Sequence, residues 1–343
     1  MTKFKIGILG PSEIAFRRFL PALSKSKHFA FAGVACANAE EWLGENSTNP
    51  PTNIFDILEA EKNKALKFQE TLGGKLYTSY KELIQDPNVD AVYVPLPPLL
   101  HHKWGKFVLQ NNKHLFLEKP FTTSEKDTKE LNEIAKQKNL ATHENFAFVF
   151  HNQITAIQEH LHKIGDIRLI RTCFGFPYRG SSDFRYSKNL GGGALLDCGG
   201  YPIKLAAYLL GENTTVAQSQ LSKAKNHDVD VYGSATLTSK DCDYVAQISF
   251  GMDNSYKCEL EVWGSEGVMY TPRVFTPTAE METKIHITTN QPEVITVAPD
   301  DQFLHSLDFF GSCITDSNVR INNYKTINLQ SKLMQQVKQG DTK

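Results

Sequence analysis

Residues Gly191 to Gly211 read GGGALLDCGGYPIKLAAYLLG and set Asp197 and Tyr201 four positions apart, where a glycine-rich approach gives way to helical spacing. That interval puts a carboxylate and a phenol on one helix face, one turn apart, beside a backbone that a ligand can approach closely. A phenol can give a proton to a developing alkoxide or take one from an alcohol. The residues alone also allow a plainer reading, with Asp197 as a helix N-cap, Tyr201 as a half-buried ring and the glycines as a loop.

A second segment carries different chemistry. Gly10-Pro11-Ser12-Glu13-Ile14-Ala15 follows a short apolar run, Lys5 to Leu9, and opens a helical pattern, Ile14 to Ser24. Free N-H groups in such a turn suit a dinucleotide pyrophosphate. Against the GxGxxG pattern, Gly10 holds the first place, Ser12 the second and Ala15 the third; a small hydroxyl still allows close approach and adds a donor. Strand, glycine turn and helix also occur simply as packing. After the second strand, Cys36-Ala37-Asn38 offers neither an acid for a ribose hydroxyl pair nor an arginine for a 2'-phosphate. NAD(H) and NADP(H) both stay open, and the missing acid tilts the reading toward NADP(H), its phosphate held by a lysine or arginine from elsewhere.

The composition narrows the partners. With 343 residues, 41% hydrophobic and 22% charged, the chain reads as a globular protein of two domains. A formal net charge of -1 provides no global field to recruit nucleic acid or an anionic membrane. The six cysteines are scattered, with no CxxC pair and no Cys/His cluster at metal spacing, so no metal is expected. No secretory apolar region follows Met1, and no transmembrane-length apolar run appears. A cytoplasmic location is the expectation.

These chemical groups need elements to hold them. Apolar runs at Phe29 to Ala35, Ala91 to Leu96, His114 to Leu117 and Leu140 to His143 alternate with helical patterns at Ile57 to Leu72, His102 to Asn111 and Ser124 to Lys138. The alternation predicts an α/β Rossmann domain, a doubly wound parallel sheet, over residues 1-145. Residues 39-56, polar and Pro/Asn-rich, read as an inserted loop. Beyond them lies an α+β domain, residues 146-343. Its runs, including Ile167 to Phe174, Val231 to Thr238, Tyr244 to Phe250 and Lys257 to Trp263, alternate polar and apolar residues. That pattern predicts a large, mostly antiparallel open sheet with one face buried. Leu304 to Ile314 and Ser331 to Val337 read as closing helices, the last able to pack back on the first domain.

Four segments in fixed order, GPSEIAFRRFLPAL, LPPLLHH, LEKPF and GGGALLDCGGYP, resemble those of the Gfo/Idh/MocA oxidoreductases over residues 3 to about 270. Within that family, Ala15 to Ala22, Glu144-Asn145-Phe146, His151-Asn152-Gln153 and Asp183-Phe184-Arg185-Tyr186 are similar to the nucleotide-diphosphate-hexose 3-ketoreductases of deoxysugar biosynthesis. Ser12 with Pro11 in the turn and the insertion at 39-56 depart from the pattern. They leave cofactor preference open.

The resemblance implies Lys119 and Tyr201 as the catalytic pair, with Asp197 beside them. Hydride from a nicotinamide would turn a ketone into an alkoxide, and either Tyr201 or Lys119 would supply the proton. It also implies cofactor contacts at Gly10, Ser12, Glu13, Ile14, Cys36, Ala37, Asn38, Leu96, Pro97, His101, Glu118, Lys119 and Asn145. Glu144, His151, Arg179, Arg185 and Tyr186 fall on the substrate side, since a nucleotide sugar needs cations for its diphosphate and flat groups for its base. The expected activity is NADPH-dependent reduction of the C3 ketone of a nucleotide-activated deoxy-ketosugar. Alternatives are a sugar or nucleotide-sugar 3-dehydrogenase and a non-catalytic dinucleotide-binding regulator. A half-exposed sheet further predicts a homodimer or homotetramer.

Overall fold

A computed structural model describes residues 2–43, 53–180, 183–224 and 227–340. The chain divides into two compact units. The first comprises Met1–Phe121, Lys129–Asn145 and Ser306–Tyr324, the second Thr122–Thr128, Phe146–His305 and Lys325–Lys343.

In the first unit, β1 (Phe4–Leu9), β2 (Phe29–Ala35), β3 (Lys75–Tyr77), β4 (Ala91–Val94), β5 (His114–Glu118) and β6 (Thr142–Asn145) form one parallel sheet in the order β3-β2-β1-β4-β5-β6. The helices are α1 (Leu20–Lys25), α2 (Ala39–Leu43), α3 (Ile54–Leu72), α4 (Tyr80–Gln85), α5 (Pro98–Gln110) and α6 (Glu125–Gln137). Ile6, Ile8, Val92, Val94, Leu115 and Leu117 are fully buried, because a parallel sheet covered on both faces needs unbroken apolar strands. The order reverses between β1 and β4, and the crevice at their C-terminal ends is where such sheets bind nucleotides. The expected 39-56 loop is corrected in part: α2 and the start of α3 occupy its ends, while residues 44–52 lie outside the described set. With three residues, β3 is too short to show periodicity.

The second unit contains α7 (Asn152–His160), β7 (Ile167–Gly175), α8 (Gly200–Leu210), β8 (Thr215–Lys223), β9 (Asp230–Thr238), β10 (Val245–Gly251), β11 (Lys257–Gly264), β12 (Val268–Thr271), β13 (Thr283–Thr288) and β14 (Glu293–Val297). The eight strands form one sheet in the order β14-β13-β12-β11-β7-β10-β9-β8, antiparallel except where β10 lies parallel to β7. Alternation decides the faces. Ile170, Phe174, Ile248, Phe250, Leu260 and Val262 turn inward, under the apolar Ile203, Leu205 and Ala206 of α8, while Arg171, Gln247, Ser249 and Trp263 turn to solvent.

The last helices are α9 (Gln302–Thr315) and α10 (Ser317–Gly340), the latter far longer than the Ser331 to Val337 stretch its apolar pattern marks. No helix among the described residues is long and apolar enough to cross a membrane.

Two helices open with a wide π turn, Ala15–Phe19 ahead of α1 and Leu195–Gly199 ahead of α8. Each precedes a proline, Pro21 or Pro202, that would collide with the carbonyl four residues back and cannot bond to it. Widening the preceding turn removes the conflict.

Candidate active site

The turn after β1 has the shape a dinucleotide needs. Gly10 takes φ +82°, and a Cβ there would come within 3.0 Å of Leu96 Cδ2 and 3.2 Å of the Tyr80 hydroxyl. Ser12 Oγ accepts from Ala15 N-H at 3.3 Å and Phe16 N-H bonds Ser12 O, so the serine opens the helix and keeps its own hydrogen for another acceptor. The N-H groups of Glu13 and Ile14 have no acceptor among the described residues. A cofactor pyrophosphate fits these donors.

Just past Cys36-Ala37-Asn38 at the end of β2, Glu41 brings an acid whose partners include residues far along the chain. Asn38 caps α2 by accepting from Glu41 N-H at 2.9 Å, and the Glu41 carboxylate accepts from Asn38 N-H (3.1 Å), Tyr80 N-H (2.9 Å) and Lys81 N-H (2.9 Å). Those three N-H groups already engage the carboxylate. Burial, then Glu61, pushes the Cys36 thiol up to about 11, and the exposed Lys62 on α3 pulls the other way. Lys62 has no ion-pair partner among the described residues. It lies a whole helix beyond β2, outside the motif that follows that strand.

Lys119 follows β5 in a loop fixed by buried polar contacts. Glu118 Oε1 accepts from the Tyr93 hydroxyl and from Asn145 Nδ2, both at 2.6 Å, and its Oε2 accepts from Lys119 N-H at 3.3 Å. Ser306 donates to Asn145 Oδ1 at 2.8 Å, and His143 Nε2 lies 2.8 Å from the same serine oxygen. Burial pushes the Glu118 carboxyl above the usual range, against the Tyr93 and Asn145 hydrogen bonds. Two expected contacts take other roles. Glu144, 5% exposed, accepts from Phe121 N-H at 3.0 Å, so this oxygen holds the lysine loop rather than a substrate sugar. His101 is fully buried, with Nδ1 2.8 Å from Pro120 O and Nε2 2.7 Å from Leu96 O, leaving no ring nitrogen for a cofactor.

In the second unit, Gly193 at φ +123° leads into the helix, and Leu195 N-H donates to Asp230 Oδ2 at 2.6 Å. Asp230 therefore serves the helix start. Asp197, whose own N-H already bonds Gly193 O, is not the cap; its Oδ2 accepts from Arg185 Nε at 2.8 Å. Arg185 Nη1 also reaches both oxygens of Asp183 at 3.1 Å. Burial alone would lower this guanidinium, but Asp197 and Asp183 more than offset it and hold its pKa above the ordinary value. The expected diphosphate contact, Arg185, is thus tied to two carboxylates.

Tyr201 is held by rings. Phe174 (4.9 Å), Phe146 (5.2 Å), Phe275 (5.7 Å) and Phe148 (5.8 Å) surround it at tilted or edge-on angles. The line of rings continues from Phe174 to Phe176 at 6.0 Å, and the Arg179 guanidinium lies 4.8 Å over Phe176 with no ion-pair partner among the described residues. Tyr186 departs from expectation, being buried with its hydroxyl donating to Met252 O at 2.5 Å. The neighbouring ring of Tyr178, 4.8 Å from Tyr186, is the exposed one. His151 is 1% exposed and its Nδ1 accepts from Gln153 N-H at 3.0 Å, which makes it the cap of α7 and not an open substrate wall.

A doubly wound sheet with a glycine turn at its switch point, joined to an open sheet whose covering helix carries a phenol, defines an NAD(P)-dependent oxidoreductase. The chain matches the oxidoreductase family model with an NAD-binding Rossmann fold over residues 4–146 and the Gfo/Idh/MocA C-terminal domain over residues 157–270. It belongs to the Gfo/Idh/MocA family. It is 34% identical over 313 residues to dTDP-3,4-didehydro-2,6-dideoxy-alpha-D-glucose 3-reductase of Actinomadura kijaniata, covering 90% of this chain and 87% of that one. The protein of the same name from Saccharopolyspora spinosa is 35% identical over 285 residues, 82% and 79% of the two chains. Among solved structures, KijD10, a 3-ketoreductase from Actinomadura kijaniata in complex with NADP and TDP-benzene, superimposes with a TM-score of 0.87 at 32% identity, covering 99% and 98%.

Proposed function

We propose that the chain is an NADPH-dependent 3-ketoreductase acting on a dTDP-linked deoxy-ketosugar. The near-complete match to a 3-ketoreductase solved with NADP and a TDP compound carries this reading. The free N-H groups after Gly10 and the hydroxyl of Ser12 suit the cofactor's pyrophosphate, and the Lys62 ammonium suits a 2'-phosphate, which the Glu41 carboxylate would repel. A bound nicotinamide would supply the hydride. Tyr201 protonates the nascent alkoxide, and Lys119 contributes the positive charge that favours a phenolate and an alkoxide alike.

Asp197, fixed by Arg185, keeps an oriented carboxylate for a sugar hydroxyl or an ammonium. Arg179 and the exposed ring of Tyr178 replace Arg185 and Tyr186 as the diphosphate and base contacts. Mixing the protein with a dTDP-3-ketosugar and NADPH and following loss of the reduced nicotinamide absorbance tests the reading. Turnover only in the oxidative direction would favour a 3-dehydrogenase, and cofactor binding without turnover a regulator.

The outer sheet face presents Trp263 (40% exposed), stacked on Arg171, and Tyr232 (50% exposed), which suits pairing with a second copy. A homodimer in light scattering that Trp263→Glu breaks is the expected result. All six cysteines are unbridged, which suits the cytoplasm.

A further inference from the structure

His101 sits in the first turn of α5 with each ring nitrogen against a carbonyl oxygen, Leu96 O at 2.7 Å and Pro120 O at 2.8 Å. Both partners can only accept. A neutral imidazole has one N-H and one lone pair, so it satisfies one carbonyl and turns a lone pair on the other. Only the doubly protonated ring donates to both. The two carbonyls belong to the loops after β4 and β5, one running into Pro97 and the other following Lys119. The ring is fully buried.

We propose that His101 is a positioning residue for Lys119, a two-loop clasp that holds both carbonyls with its second proton bound and only one of them without it. This rests on the reading of Lys119 as a catalytic residue. The charged and titratable groups on the adjoining elements are Lys119 and Glu118 at the end of β5, Glu144 on β6, and His102 and Lys103 beside it on α5. Burial first, and Lys119 last, lower the ring's proton affinity, while the carbonyl contacts raise it; the net direction is below the ordinary histidine value. The clasp therefore tightens as pH falls through that lowered value and relaxes as pH rises.

The test compares the wild-type protein with His101→Gln, whose amide carries N-H donors that do not titrate. NADP+ affinity is measured by calorimetry from neutral pH down to the lowest pH at which both proteins stay folded, since the ring titrates below the range in which ordinary histidines switch. The expected wild-type result is roughly tenfold tighter binding at the acid end, the size of one charge-assisted hydrogen bond. The His101→Gln protein should lose that slope beyond what the 2'-phosphate's own titration gives both proteins. With the ketosugar, kcat/KM should show the same difference in pH profile. Identical slopes overturn the proposal. Should the variant not fold, nitrogen spectra of the wild-type histidine rings decide: a ring titrating below the ordinary range, together with shifts of the Pro97-flanking and Phe121 amide region, supports the clasp, and a ring that titrates without them sinks it. Cofactor binding and ring spectra need no sugar substrate, so a wrong sugar assignment would show separately.

Discussion

Around Lys119 the backbone is fastened by polar side chains, and around Tyr201 the side chain is fastened by rings. The lysine loop has Glu118 on its amide, Glu144 on the next N-H and His101 on the Pro120 carbonyl, with Tyr93, Asn145 and Ser306 bracing Glu118 from behind. Tyr201 has four phenylalanines. An ammonium enclosed in hydrocarbon would lose its proton, so its support must leave it polar surroundings. A phenol tolerates an apolar cage because only its tip is polar. The chain thus positions each group by the means its chemistry allows.

Replacements separate the two kinds of support. Tyr201→Phe keeps the ring and removes the hydroxyl, so kcat should fall about 10²- to 10⁴-fold with an unchanged melting temperature. Lys119→Ala should lose kcat on a similar scale. If Tyr201→Phe instead melts early, the hydroxyl is part of the cage and the contrast is wrong. Phe174→Ala attacks the cage itself; a loss of about 3–5 kcal/mol of stability is expected in urea unfolding, as for other buried rings.

On the polar side, Glu118→Gln keeps the shape but sets an NH2 group against donors. A loss of about 1–3 kcal/mol and weaker NADP(H) binding are expected, and unchanged binding would show that the bracing network does not reach Lys119. The smallest effect is acid-dependent. His114 Nδ1 accepts from Ala141 N-H at 2.9 Å, and burial, then Arg320, lowers the ring to about 4. The unfolded ring takes up its proton first, near 6.5, so stability is intact above that value and declines as pH falls toward about 4. At pH 5 the loss should be about 2 kcal/mol, absent in His114→Asn; a pH-independent melt in the wild type would refute it.

Much of the fold was legible because long elements carry their own signal. Parallel strands such as Ala91–Val94 read as apolar blocks, and β11 reads as strict alternation. β3 and β12, at three and four residues, fall below any period. The two π turns were hidden in plain view by Pro21 and Pro202, whose place inside a helical pattern is the available signal. In the candidate site, local motifs and family order single out Gly10, Lys119, Asp197 and Tyr201. They do not single out Lys62, Glu41, Asp230 and Tyr178, since each acts through a partner far away in sequence or through exposure that neighbouring residues do not reveal.

The sequence by itself determined which groups are available for chemistry: a glycine turn for a pyrophosphate, a lysine before a proline, a carboxylate and a phenol four residues apart. Those are matters of residue type and short spacing, which local geometry fixes. Tertiary structure alone decided which of them are already occupied. Arg185 is neutralised by Asp183 and Asp197, His101 and Glu144 are bound to backbone, and Arg179 is left without an ion pair among the described residues. Partnership depends on distances between segments far apart in the chain, and only the packed fold sets them.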